Sequence, residues 1–312
     1  MMGAVLPLLC HFAIAPDDAA GQRLSYVYFA NIIGSTLGSL LTGFVFMDSM
    51  SLARTCLVLA VLGALVGSAL FIAGSVGPQR LRAVGTSALV LVGIILVAPH
   101  AYDELYERLQ FMDTWDGKPF AQIIENKSGV MTVTNAGTVF GGGAYDGRLN
   151  TSIMHDRNGI VRAFAIGAMH EAPKELLMIG LASGSWAEVI ANDAQVQHLT
   201  VIEINPGYLD LIARHPDVAP VLKSPKVTIE IDDGRRWLMR HPDRRFGVIV
   251  MNTTCHWRAH LTNLLSVEFM KMARAHLSSG GLFYFNARWS PDVEKTAMVT
   301  FPYGMRFVIS SP

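Results

Sequence analysis

Long apolar runs separated by short polar breaks fill the first hundred residues. Leu24–Met47 carries no charge over 24 residues, Thr55–Ser75 is a second such run, and Ala83–Ala98 is a third, shorter one. A helix needs roughly 20 residues to cross the ~30 Å hydrocarbon core of a bilayer. The first two runs reach that length directly. The third reaches it with Leu81 and Arg82, the arginine snorkelling to the interface. Met1–Ala15 is apolar but short, contains Pro7 and His11, and lacks the basic start of a signal peptide. It is expected to be the remnant of a further helix, so that the chain begins mid-bundle. Gly34, Ser35, Gly38 and Ser39 place small residues at i and i+4 and predict a close-packing face between membrane helices, with Asn31 seeking an interhelical partner. The ionisable groups that line a transport pathway are missing from these runs, so transport is not expected.

Beyond residue 100 the pattern shortens. Tyr102–Gln110 reads as a polar helical connector. Ala121–Glu125, Gly129–Asn135 and Thr138–Phe140 alternate and are separated by turn signals at 126–129, 135–137 and 141–143. They predict a small unit of antiparallel hairpins. From Pro173 onward, strands and helices take turns. Strands are expected at Leu176–Ile179, Leu199–Ile204, Val227–Ile231, Phe246–Met251 and Leu282–Asn286. Helices are expected at Trp186–Asn192, Pro206–Arg214, Arg235–Arg240 and Ser266–Leu277, the second capped by Asn205 with Pro206 at its first position. Met305–Ile309 adds a further strand. Such alternation predicts a doubly wound, parallel α/β sheet of Rossmann type. The expected organisation is transmembrane helices over 1–99, a connector over 100–119, the small β unit over 120–170 and a Rossmann-like nucleotide-binding domain over 171–312.

Composition sharpens this picture. Charged residues make up 16% of the chain and hydrophobic ones 51%, against about 25% charged in an ordinary soluble protein. The deficit is concentrated, since Leu24–Pro99 holds only Asp48, Arg54, Arg80 and Arg82. A net charge of zero and the lack of a basic stripe argue against nucleic acid as a partner. Cys10, Cys56 and Cys255 lie far apart, with neither metal spacing nor a disulfide framework, and no metal is expected.

Ligands of doubly wound sheets bind beyond the carboxyl ends of the strands. After the first strand, Gly180-Leu-Ala-Ser183-Gly184 lets a ligand approach the backbone. Glu203 ends the second strand and is able to accept two hydrogen bonds from ribose hydroxyls. Asp233 follows the third and is able to accept one from an adenine amino group. Together they favour an adenosine-type ligand. The loop is neither a phosphate loop nor G-x-G-x-x-G, which disfavours ATP and NAD and leaves S-adenosylmethionine-like ligands. Arg80 and Arg82 would place the C-terminal half outside by the positive-inside rule. The nucleotide ligand points to the cytoplasm and outweighs them, so a multi-pass protein of the inner or plasma membrane with a cytoplasmic soluble part is expected.

Several stretches resemble the spermidine synthase family of polyamine biosynthesis, from about Gln122 to the C-terminus. Pro173–Gly180 looks like the family's entry into its glycine loop, Val201-Ile-Glu203-Ile-Asn205 like its Glu-Ile-Asp strand end, and Asp233-Gly234 like its adenine-contacting pair. Leu265–Phe269 and Leu277–Gly281 resemble the helix and Gly-Gly turn after its active-site loop. Gly3–Leu8 and Tyr28–Gly34 are similar to spans of membrane-fused spermidine synthase-like proteins, which have more spans, so this looks like a shortened chain. The resemblance implies S-adenosylmethionine or its decarboxylated form as substrate, held by Gly180, Ser183, Gly184, Glu203 and Asp233. It implies a small amine or other acceptor, with the bilayer and a second copy of the chain as further partners.

The departures from the family bear on activity. Ser183 stands where the family carries an Asp in its glycine loop. Asn252-Thr-Thr-Cys255 stands where its gate loop reads Asp-Ser-x-Asp. Ala144–Gly147 stands in the region of its Tyr-His-Glu stretch. Amines are protonated near pH 7 and must lose a proton to attack, a task for a carboxylate that Asn252 does not supply. Cys255 and His256, with His260 as a further candidate, are the remaining bases, and Trp257 and Arg258 would frame a pocket for an aromatic or acidic substrate. Three readings stay open: a membrane-bound aminopropyltransferase with altered or lost amine chemistry, an S-adenosylmethionine-dependent methyltransferase on another substrate, and a non-catalytic nucleotide-binding membrane sensor or transport-associated module.

Overall fold

Glu175–Ile179 and Phe246–Met251 are almost unbroken apolar runs because both faces of their sheet are covered by helices. The computed structural model describes residues 5–156, 158–252, 261–287 and 290–307. The chain divides into two compact units, Met1–Asp103 and Glu104–Pro312.

The first unit is helical: α1 (Val5–Ala13), α2 (Ala20–Leu41), which runs through a π turn into α3 (Met47–Ser49), then α4 (Leu52–Ala73) and α5 (Pro78–Ala101). Ala20–Ser49, Leu52–Ala73 and Pro78–Ala101 span 30, 22 and 24 residues and are long and apolar enough to cross a membrane. The third is thus longer than the Ala83–Ala98 run, because Pro78 starts the helix ahead of the charges at Arg80 and Arg82. Ser51 caps α4 by accepting from the Arg54 N–H at 3.3 Å. α4 and α5 pack together, and the buried residues they carry are small: Thr55, Ala83 and Ser87. The expected packing face on α2 is not engaged. None of its residues is buried, and a Cβ placed on Gly34 or Gly38 would meet nothing within 4 Å.

The second unit opens with α6 (Leu105–Phe111), whose buried Glu107 accepts from the Phe120 N–H at 2.7 Å. An antiparallel sheet follows in the order β1 (Gln122–Asn126), β2 (Gly129–Val133), β3 (Thr138–Gly141), β4 (Ala144–Arg148). β4 was not expected from the sequence, and neither was α7 (Val161–Met169). Then come β5 (Glu175–Ile179), α8 (Ser185–Ala191), β6 (His198–Glu203), α9 (Gly207–Ala213), β7 (Val227–Ile231), α10 (Gly234–Arg240), β8 (Phe246–Met251), α11 (Val267–Ala275), β9 (Leu277–Phe285) and α12 (Pro291–Met298). The strands form one parallel sheet in the order β7-β6-β5-β8-β9. The chain steps outward from β5 to β7 and then returns to β8 on the other side. That reversal leaves the crevice where doubly wound sheets bind ligands, between the ends of β5 and β8.

Side chains alternate across the sheet. Leu176, Met178, Val201, Val248 and Val250 join one core with Trp186, Tyr208 and Leu211. Leu177, Ile179, Ile202, Ile249 and Met251 join the other with Trp237 and Phe269. Three expectations need correction. Ser278–Gly281 is not a turn ahead of the last strand. β9 already begins at Leu277, and the glycines lie in a bulge where the pairing jumps from Phe246↔Leu277 to Val248↔Leu282. Pro206 precedes α9 rather than opening it, while Asn205 does act as a cap, its Oδ1 accepting from the Gly207 N–H at 3.0 Å. Residues 305–307 are not in a strand, and Val308 and Ile309 lie outside the described residues.

The small sheet docks on α9 at Gly207. A Cβ there would collide with the Met131 methyl and come within 2.8 Å of Asn126 Nδ2. Gly207→Ala is therefore expected to destabilise the detergent-solubilised protein by about 1–3 kcal/mol through overpacking. Thermal unfolding measures this, and an unchanged midpoint would show that the two sheets do not depend on this contact.

Candidate functional site

The loop after β5 turns back on itself through left-handed positions at Gly180 (φ +91°), Ala182 (φ +50°) and Gly184 (φ +77°). Gly184 also has Ile212 against it, 2.8 Å from where a Cβ would sit, so both conformation and space require glycine. The Gly180 N–H donates to the Ile202 carbonyl at 2.9 Å and ties the loop to β6.

Glu203 closes this arrangement. The residue is 4% exposed. Oε2 accepts from the N–H groups of Leu181 (2.7 Å) and Ala182 (3.5 Å), and Oε1 accepts from that of Asn205 (2.8 Å). A carboxylate offers about four lone-pair sites, so three contacts leave room for about one ribose hydroxyl, not the two anticipated from the sequence. Burial raises the Glu203 carboxyl above its ordinary value. The backbone N–H groups pull it back down, and the nearby charge of Asp146 pushes it up.

At the tip of the next strand, Asp233 is half-buried and caps α10, Oδ1 accepting from the Arg236 N–H at 2.9 Å. Gly234 brings this turn close to β5, with Ile179 Cγ2 2.7 Å from the position of a Cβ. The Asp232 N–H donates to the Glu203 carbonyl at 3.1 Å. Gly180, Glu203 and Asp233 thus gather at one edge of the sheet, on three adjacent strands. Ile204, next to Glu203, is 44% exposed at the same edge. Asn252 follows β8 across the crevice and is half-buried. Cys255 and His256, with Trp257, Arg258 and His260, lie outside the described residues.

Ser183 faces the small sheet rather than open solvent. Its Oγ lies 3.2 Å from Ser185 Oγ, which donates to the Arg148 carbonyl at 2.6 Å and accepts from the Asn150 N–H at 3.2 Å. Gly147 (φ +124°) lets β4 come this close, because a Cβ there would lie 2.9 Å from Ser183 Oγ. Beside it Asp146 is buried and accepts a hydrogen bond from the Tyr208 hydroxyl. Asn126 Nδ2 donates to Asn205 Oδ1 at 2.7 Å and makes a second link between the sheets. Sequence reasoning missed Ser185, Asp146 and Asn205 as parts of this network. The Asp146-Gly147 pair, a polar residue and a glycine in a stretch without apolar alternation, was the only trace of it. Among the described residues no group of three or more His, Cys, Asp or Glu side chains is arranged to hold a metal ion. A groove of ≈ 310 Å³ bounded by Thr151, Phe164, Pro173, Val189, Asn192 and Val196 shares no residue with the glycine loop.

No protein-family model matches the chain. It is similar to the polyamine aminopropyltransferase of Mycobacterium tuberculosis, with 22% identity over 307 residues, covering 92% of this chain and 56% of that one. The polyamine aminopropyltransferase of Agathobacter rectalis is 27% identical over 119 residues, covering 38% of this chain and 41% of the relative. In sequence the chain is thus similar to polyamine aminopropyltransferases. It spans about half the length of the curated relatives it matches. Solved structures of spermidine synthase, one from Thermotoga maritima and one in complex with the transition state analogue AdoDATO, superpose on this chain with TM-scores of 0.46 and 0.48. Both are 18% identical to it, and the superpositions cover 59% and 60% of this chain and 65% of each of theirs.

The buried carboxyl has a measurable signature. A group whose folded pKa is raised contributes stability that is fully present below its unfolded value, near 4.5 for Glu203, and is lost as pH rises through the folded value. Relative to Glu203→Gln, wild-type stability should therefore be greatest in mild acid and decline toward neutrality. A pH-independent difference between the two proteins would contradict the assigned environment.

Proposed function

We propose that the chain is a membrane-attached transferase of the spermidine synthase type that binds decarboxylated S-adenosylmethionine, or S-adenosylmethionine itself, at the tips of β5, β6 and β7. The observation that carries this reading is the gathering of Gly180, Glu203 and Asp233 at one sheet edge. In this reading the remaining acceptor site of Glu203 takes a ribose hydroxyl, and Asp233 Oδ2 takes the adenine amino group. The exposed Ile204 is covered by the flat base, while Gly180 and Gly184 form the wall along which the sulfonium arm runs; Ser183, which the sequence placed in that wall, turns instead to the small sheet behind it.

With decarboxylated S-adenosylmethionine, the lone pair of an amine attacks the aminopropyl carbon bonded to the sulfonium. A C–N bond forms as the C–S bond breaks, sulfur keeps the electron pair, and methylthioadenosine leaves. The nitrogen then releases a proton. Asn252, beside the crevice, is able to orient an amine by hydrogen bonding but not to hold its proton, so that duty falls to Cys255 or His256. Methyl transfer to another acceptor is the second reading, favoured by the neutral side chain of Asn252, because it needs no carboxylate gate.

The three long apolar helices would hold the protein in a membrane as a multi-pass chain, residues 1–99 forming the membrane part and 171–312 the nucleotide-binding part. A cytoplasmic soluble unit follows from where adenosyl sulfonium donors are made and used. Two measurements test these points. The full chain in detergent should release heat when titrated with methylthioadenosine, and Asp233→Asn should weaken that binding about tenfold, the worth of a hydrogen bond to a charged group. No heat with any adenosyl thioether would end the adenosyl reading. Carbonate washing should leave the chain in the membrane pellet, and its release into the supernatant would exclude a spanning front end.

A further inference from the structure

Arg162 stands at the start of α7, half-buried, with its guanidinium 5.2 Å from the ring centroid of Trp186. Nε donates to the Gly159 carbonyl at 3.1 Å and Nη2 to the Asn158 carbonyl at 3.3 Å. These contacts use two of the five N–H groups of a guanidinium. Among the described residues no carboxylate pairs with it. Trp186 stacks in turn on Tyr284 of β9, ring centroids 5.8 Å apart at 20°. Burial raises the Tyr284 hydroxyl above its ordinary value, and the charge of Arg162 acts against that rise, which places the cation near the phenol. Among the described residues the hydroxyl has no hydrogen-bond partner.

This cation lies beside the glycine loop. Trp186 is two residues past Gly184. Asn158, whose carbonyl Arg162 holds, also donates to the Arg148 carbonyl that Ser185 bonds, and its Nδ2 and Ser183 Oγ flank the same point above Gly147, at 3.7 and 2.9 Å. Tyr284 pairs with Val250, two residues before Asn252. The Arg162–Trp186–Tyr284 stack therefore stands on the β8–β9 side of the crevice, away from Glu203 and Asp233. A half-buried guanidinium with unused donors and no anionic partner among the described residues is costly unless an anion joins it, and it repels a ligand whose free end is an ammonium ion.

We infer that Arg162, fixed on Trp186 beside Tyr284, is a specificity-determining residue that recognises a carboxylate on the small molecules bound in this crevice. The inference rests on the adenosyl reading above and deepens it by naming the ligand chemistry. The carboxylate has two sources, the methionyl arm of S-adenosylmethionine or the far end of an amino-acid-like acceptor. The geometry disfavours a plain diamine.

The full chain in detergent is titrated with methylthioadenosine, S-adenosylmethionine and decarboxylated S-adenosylmethionine. With methylthioadenosine bound, it is then titrated with 4-aminobutanoate and 1,4-diaminobutane, which differ only in the charged group at one end. At least one carboxylate member should bind about tenfold more tightly than its partner, the worth of a hydrogen-bonded ion contact. The donor pair responding alone identifies the methionyl carboxylate, and the acceptor pair responding alone identifies an amino-carboxylate acceptor. Arg162→Met should abolish the preference while binding of methylthioadenosine, which has no carboxylate, reports that the site is still folded. Arg162→Lys should restore part of it, since charge returns without the planar fork. Methylthioadenosine binding with no preference in either pair, or a preference unchanged in Arg162→Met, would overturn the inference and leave the adenosyl reading standing. Failure of methylthioadenosine to bind the wild-type chain would remove the adenosyl reading and this inference with it.

Discussion

One carboxylate organises the front edge of the parallel sheet. The turn between β5 and α8 takes three left-handed positions within five residues, a shape that points backbone N–H groups inward with no ladder to receive them. Buried N–H groups need partners, and Glu203 supplies them. Through Leu181 and Ala182 it holds the turn after β5, and through Asn205 it holds its own turn after β6. Asn205 passes the restraint on to Asn126 of the small sheet, and the Ser183–Ser185 pair passes it to the Arg148 carbonyl. Segments far apart in sequence are therefore ordered by a single side chain. The cost is a desolvated acid with Asp146 close by, and that cost is why the carboxyl titrates above its usual range. A loop prearranged in this way meets a ligand without first having to be ordered.

How far this was legible in the sequence depended on where the information lies. The central strands were legible because a parallel sheet covered on both faces demands runs such as Leu-Leu-Met-Ile and Val-Ile-Val-Met, and their lengths and flanking turns separate them from helices. β4 was not, because Ala144-Tyr-Asp-Gly-Arg148 has no alternation. Its burial comes from Asp146 and Gly147 packing on a loop nearly forty residues away, a fact of tertiary structure. The Gly280-Gly281 pair reads as a turn in any local analysis, yet here it widens a strand whose register is set by β8. For the site, position was legible and direction was not. Glu203 and Asp233 could be placed at strand tips from spacing alone, but their present partners, three loop N–H groups for one and a helix cap for the other, depend on loop paths that the sequence does not display.

The membrane half repeats the lesson in another solvent. Hydropathy reports that a segment is long and apolar enough to span, and three segments are. It does not report which face meets a neighbour, because lipid is as apolar as leucine and gives no amphipathic stripe to read. The small residues at Gly34 and Gly38 were the only available clue to packing on α2, and they lie on a helix with nothing buried. The contact that does form, α4 on α5, is marked by Thr55, Ala83 and Ser87, which no periodicity singled out.

The charges around the crevice divide by side. Glu203, Asp233 and the neighbouring Asp146 lie toward β5–β7 and β4, while Asn252 is neutral after β8 and Arg162 stands over Trp186 toward β9. Unit charges a few ångströms apart interact by about 4 kcal/mol at the effective dielectric near a protein surface, so such a division fixes the direction in which a charged ligand lies. On the adenosyl reading, a sulfonium would be drawn toward the acidic side. An ammonium beyond it would run into the guanidinium, and a carboxylate there would meet it. If the crevice holds an adenosyl donor, as proposed, the carboxylates would fix where its cation sits, and the opposite wall would decide what is allowed next to it. On that reading, change at Asn252 and Arg162 would alter the second choice while leaving the first intact, so that one fold could keep its donor and exchange its acceptor.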